Sequence, residues 1–196
     1  MERAKAAGLL GPSSCCAVDA TGLETRHVSR HYVFRSGQAR YGMRKWPKLT
    51  AAYDVDSHLT LAIHRCMGPC QDSPQFTPVI REAAERQRID QVLAYKGHDA
   101  EPNHVLCREE LGIVRTVIAV RKNTNGTRQW PATKYRRAMK RREAREGHGQ
   151  RWQAESAISA HERLLGSWLR ARTWAAQRAE MALRVLTHNC MLLANV

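Results

Sequence analysis

Apolar and polar positions alternate in short runs over the first half of the chain and lengthen into helical spacing toward its end. Cys15-Cys16-Ala17-Val18-Asp19-Ala20 reads as a short buried strand that ends at a carboxylate. Leu49 to Val55 and Leu59 to Cys66 predict two further strands, with Asp56-Ser57-His58 as the turn of a hairpin. From Gln75 to Gln87 the apolar residues Phe76, Val79, Ile80, Ala83 and Ala84 keep helical spacing. Ile89 to Ala94 predicts a strand entering the core. Asp99 can cap the helix that follows, with Pro102 in its first turn and Gly112 after its last. The β-branched run Ile113 to Val120 predicts another strand, ended by Asn123-Thr124-Asn125-Gly126. Residues 151–170 and 174–194 predict two closing helices. Trp152, Ile158, Leu165, Trp168 and Leu169 supply the apolar stripe of the first, and Leu183, Leu186, Cys190 and Leu193 that of the second.

This order is strand, hairpin, helix, strand, helix, strand, basic connection, helix, helix. It implies an α/β fold, a mixed sheet flanked by helices. The ribonuclease H-like fold has this order. A length of 196 residues fits one domain, expected over 15–194, after an N-terminal tail at 1–14 and with a basic connection at 123–150. No stretch approaches the ~18 apolar residues of a membrane span. Gly11-Pro12-Ser13-Ser14 breaks the apolar start, so no signal peptide is expected. The six Cys read as thiols of a cytoplasmic protein rather than as a disulfide framework. His64, Cys66 and Cys70 match no strong zinc spacing.

Charge changes the picture. Lys and Arg number 32 against 18 Asp and Glu, a formal +14. Residues 115–151 carry twelve Lys/Arg and two Glu, and residues 25–53 carry seven Lys/Arg and no acid. Together these two segments exceed the whole excess, so the rest of the chain is slightly acidic. Two basic segments on such a scaffold predict a polyanionic partner, with nucleic acid the default. Arg44, Lys45 and Lys48 in the first segment and Lys134, Arg136, Arg137, Lys140, Arg141, Arg142 and Arg151 in the second are the candidate phosphate contacts.

Candidate chemistry rests on carboxylates. Asp19 closes the first strand, where a divalent cation can be held. Glu155 lies at the edge of the apolar stripe of its helix. Asp54, Asp56, Asp90 and Asp99 are further acids, most of them with turn or cap explanations. Phosphodiester cleavage by two metal ions needs a few convergent carboxylates, because hard cations take oxygen ligands.

Three blocks then resemble the DDE-type transposases of bacterial insertion sequences, in the branch grouped around insertion sequences 4 and 5. The first is Val18-Asp19-Ala20-Thr21-Gly22-Leu23 followed by Arg44-Lys45-Trp46-Pro47-Lys48-Leu49. The second is Val92-Leu93-Ala94-Tyr95-Lys96-Gly97-His98-Asp99-Ala100-Glu101. The third is His148-x2-Arg151-x3-Glu155-x6-Glu162, similar to the branch's Tyr-x2-Arg-x3-Glu-x6-Lys signature. The resemblance implies a DDE catalytic domain that binds double-stranded DNA at transposon ends. It implies Mg²⁺ or Mn²⁺ on Asp19 and Glu155, cleavage and strand transfer, and a homo-oligomeric complex on bacterial nucleoid DNA. The family's second acidic position falls on Tyr95, a poor Mg²⁺ ligand since a phenol ionises near pH 10. The signature's Lys is Glu162, which removes a cation expected near phosphate. Family members also carry an N-terminal recognition region, whereas Asp19 comes early here, so the chain reads as a truncated copy. The expectation is a transposase by descent with its nuclease activity in question, the alternative being a non-catalytic DNA-binding remnant.

Overall fold

The computed structural model describes residues 1–25, 45–122, 131–141 and 147–196. In chain order the elements are α1 (Glu2–Ala6), β1 (Ser14–Gly22), β2 (Glu24–Thr25), β3 (Trp46–Asp54), β4 (Thr60–Gly68), α2 (Ser73–Arg86), β5 (Ile89–Ala94), α3 (Glu101–Val105), β6 (Arg115–Ile118), α4 (Lys134–Ala138), α5 (Trp152–Leu165), β7 (Trp168–Leu169) and α6 (Trp174–Ala194). Five strands form one mixed sheet in the order β4-β3-β1-β5-β6. β3 is antiparallel to both β1 and β4, while β1, β5 and β6 run parallel. This is the α/β architecture expected of the element order, consistent with a ribonuclease H-like fold.

β1 is central because its run Cys16-Ala17-Val18 is apolar on both faces and fully buried. Cys16 and Val18 face one cluster with Ala52, Ala62, Val92, Ala94 and Ile118, covered by Phe76, Val79, Ile80 and Ala83 of α2. Ala17 faces the other with Ala51, Tyr53, Leu93 and Val117, covered by Ala154 and Ala157 of α5. Alanines on both sides of this second interface let the helix sit close to the sheet. Leu23, Leu49, Leu169, Met181 and Val185 form a third cluster that seats α6 beyond the end of β1.

Several expectations are corrected. The helix expected over 151–170 ends at Leu165, because Gly166 takes φ +86°, a left-handed conformation that stops a helix. Trp168 and Leu169 instead pair in parallel with Glu24 and Thr25. The buried stripe of α5 is Ala154, Ala157 and His161, while Trp152 is exposed. In α6 the buried residues are Gln177, Met181, Val185 and His188, and Leu183 and Leu186 point outward. Helical period was legible; the face was not, because small and polar residues take the inner positions. The sulfurs of Cys66 and Cys70 lie against each other across the turn that ends β4. Among the described residues no helix is long and apolar enough to cross a membrane.

Candidate functional site

The ladder sets the geometry. Asp19 pairs with Ala51 of β3, and Val18 with Ala94 of β5. One residue further, Tyr95 follows with extended backbone beside Asp19. Asp19 is in phase with Ala17 and Tyr95 with Leu93, so both positions belong to the face covered by α5. Oδ1 of Asp19 accepts the Ala20 amide at 2.8 Å. Two residues on, in the same phase, the Thr21 hydroxyl donates to Oε1 of Glu162 at 3.0 Å. Tyr53 stands on the neighbouring strand and is only 3% exposed. Burial first, then the negative charges of Asp19 and Glu162, push its phenol pKa well above the ordinary value. Asp19, Thr21, Tyr53 and Glu162 thus form one polar group at the exit of β1.

Glu155 lies in the first turn of α5 and is exposed. It precedes Glu162 by seven residues, which returns to nearly the same side of a helix. The two acids therefore share a stripe of α5, and the one that bonds to β1 is Glu162. That spacing was the signal available for Glu162. Nothing in the sequence marks Tyr53, which reaches the group only through the β1–β3 register.

The turn after Tyr95 is held by basic residues. Asp99 does not cap α3, whose N-cap is Ala100 with no side-chain cap. Its carboxylate instead takes both arms of Arg136, Nε at 2.7 Å and Nη2 at 2.8 Å, and accepts the Arg121 amide at 2.9 Å. The Arg121 side chain donates to the carbonyls of Lys96 and Gly97, each at 2.8 Å. Lys48 donates to the Cys70 carbonyl at 3.0 Å and pairs with Asp72. A Cβ on Gly97 would strike that same Asp72 carboxylate, so a larger residue there would have to displace Asp72 from its place beside Lys48. Asp54, read as a turn acid, accepts the Ser57 amide and hydroxyl at 2.9 and 2.7 Å.

Compared with known protein families, residues 10–190 match the family described as Transposase DDE domain. The chain belongs to this transposase family. A comparison with curated proteins found no match.

Transposases of this family act on DNA and generally use divalent metal ions. The residues at the exit of β1 do not fit a complete centre of that kind. A phenol stands at position 95, and among the described residues no three His, Cys, Asp or Glu side chains group closely enough to share an ion. The basic positions divide in two. Arg136 and Lys48, expected on phosphate, are committed to Asp99 and Asp72, with only 12% and 13% of their side chains exposed. Lys45, Lys134, Arg137, Lys140 and Arg141 are exposed. Lys134 lies 3.7 Å from Glu109, and Arg137 donates to the Ala132 carbonyl at 2.7 Å. Arg44 and Arg142 lie outside the described residues, as does the side chain of Arg151.

Proposed function

We propose that this transposase-family chain, of the insertion sequence 4/5-like branch, binds double-stranded DNA through its exposed basic residues and is impaired in cleavage and strand transfer. The observation that carries the reading is Tyr95 beside Asp19 at the end of paired parallel strands. Position 95 is where the resemblance requires the second carboxylate, and a neutral phenol neither balances nor ligates a hard cation at neutral pH. Asp19 and Glu155 are the retained acids, with Arg151 supporting Glu155 or contacting phosphate. Lys45, Lys134, Arg137, Lys140 and Arg141 supply sequence-independent attraction to the DNA backbone. Acting on paired transposon ends, the protein works as a homo-oligomer, associated with the bacterial nucleoid while bound.

The test is Mn²⁺-dependent cleavage of DNA carrying the flanking ends, run beside a binding assay on the same DNA. The expected result is salt-sensitive binding, feeble cleavage by the native chain and a gain in cleavage for Tyr95→Asp. Robust native cleavage that Tyr95→Phe leaves unchanged would refute the impaired site. Salt-independent affinity would refute the DNA interface.

A further inference from the structure

β4 is the outer strand on one side of the main sheet. Such a strand carries a row of main-chain amides and carbonyls that the sheet does not use. The ladder identifies them. The Pro47 carbonyl accepts the Leu23 amide, on the β1 side of β3. Directions alternate along a strand, so Lys48, Thr50 and Ala52 turn toward Cys66, His64 and Ala62 of β4. The amides and carbonyls of Ile63 and Arg65 therefore face away from the sheet. Near the hairpin turn the same edge is closed by side chains. The Asn189 side chain accepts the Thr60 amide at 3.0 Å and donates to the Thr60 carbonyl at 2.9 Å, and Arg86 donates to the Leu61 carbonyl at 2.8 Å. Among the described residues nothing closes the edge in this way at Ile63 and Arg65.

A cavity of about 580 Å³ lies over that stretch of edge, between α2 and α6. Its α2 wall carries Glu82 and Glu85, and its α6 wall Ala182, Val185 and Leu186. The two arginines of the lining are engaged, Arg86 on the Leu61 carbonyl and Glu82, and Arg65 on the Arg178 carbonyl at 3.0 Å. The Met1 amine and the Glu2 carboxylate, also in the lining, offset each other. Glu85 is exposed, and no cation of the lining pairs with it.

Unused main-chain donors and acceptors between two walls match an extended peptide, which pairs with the edge and sends alternate side chains to either wall. We propose that this groove takes an extended peptide of a partner protein, paired to the main chain of Ile63 and Arg65, with Lys or Arg turned toward α2 and aliphatic side chains toward α6. That pattern sets cations beside the carboxylates of α2 and apolar groups beside Val185 and Leu186. A second copy of the chain does not fit as well. Pairing β4 to β4 about a twofold axis would bring α2 beside α2, carboxylates against carboxylates across the seam. None of the candidate phosphate contacts lines the groove, so the inference goes beyond the DNA-binding reading and does not depend on it.

The probe is an end-capped, fluorescein-labelled peptide, Leu-Lys-Val-Arg-Val-Lys-Leu, titrated by anisotropy with the full chain. The basic surface elsewhere on the protein repels it, so binding reads the groove. Methylating main-chain nitrogens on alternate residues blocks one edge of the peptide. In one phase this should weaken binding about tenfold, the order of one or two lost hydrogen bonds, and in the other by less than about twofold. Ala182→Phe narrows the groove without changing its charge and should abolish binding. Glu85→Lys should weaken it about fivefold, and at its exposed position it carries the test should Ala182→Phe fail to fold by circular dichroism. Equal binding of the two methylated peptides would overturn pairing at the edge. Absence of binding at millimolar peptide, or binding that Glu85→Lys leaves unchanged, would overturn the groove. A chain that sediments as a dimer, and as a monomer in Ala182→Phe, would give the edge to a second copy and overturn the partner peptide.

Discussion

Arg136 grips Asp99 through both carboxylate oxygens, and the Asp99 side chain is fully buried. Removing one partner of such a pair strands the other charge away from water. Arg136→Ala and Asp99→Ala should each cost about 3–5 kcal/mol of unfolding free energy. Arg136→Lys should recover only part, because an ammonium does not reproduce the two-armed fork. Urea unfolding of the DNA-free protein measures this, and a loss below about 1 kcal/mol would mean the pair behaves as a surface contact.

The same division of cations predicts two kinds of binding defect. Lys140→Gln and Arg141→Gln should each lower the slope of log affinity against log salt by about one contact. Lys48→Gln should instead lower stability, through the orphaned Asp72, and leave that slope unchanged. Anisotropy titrations from 50 to about 200 mM salt separate the two outcomes.

Acid should destabilise the fold well before the carboxylates titrate fully. Burial pushes His98, His104 and His161 down to about 4, and lowers His188 as well. Arg184 and His188 oppose a charge on His161, and His58 opposes one on His188. An unfolded imidazole titrates near 6.5. Between about 6.5 and 4 the unfolded chain therefore binds more protons. The histidine contribution is complete above about 6.5 and is lost as pH falls toward 4. Urea midpoints should drop across that window, and His161→Leu should flatten the drop by about one proton's worth of slope. A flat profile between pH 7 and 4 would contradict the burial of these rings.

Tyr53 should stay protonated for as long as the protein is folded. In an alkaline absorbance titration, Tyr53→Phe should remove tyrosinate signal only from the step that accompanies unfolding. Glu162→Gln removes one of the two charges that raise the phenol, so ionisation in that variant should begin at lower pH. Loss of signal from the early, native-state step would show that the phenol is open to solvent.

The five strands of the main sheet and the helix α2 were legible because they bury what their pattern advertises: Phe76, Val79, Ile80 and Ala83 all reach the core. The closing helices were legible only in period. Their inner faces carry Ala154, Ala157, Gln177 and His188, residues that hydrophobicity does not single out. Asp19 was singled out because a carboxylate follows an apolar strand, and Tyr95 because its flanking residues carry a family pattern. The contact of Glu162 with Thr21 spans 141 residues of chain and depends on how α5 lies across the sheet. The capture of Arg136 by Asp99 hides in plain charge composition, since a count of cations does not say which of them already has a carboxylate.

Position 95 lies one residue past the last paired position of β5, and the main-chain ladder closes at Ala94. No hydrogen bond of the sheet depends on which side chain comes next. The ladder is therefore indifferent to the residue at position 95, which can differ without touching the scaffold's bonding. On the function proposed above, foldability and catalytic completeness rest on different residues, so that drift can erase the second while the first persists.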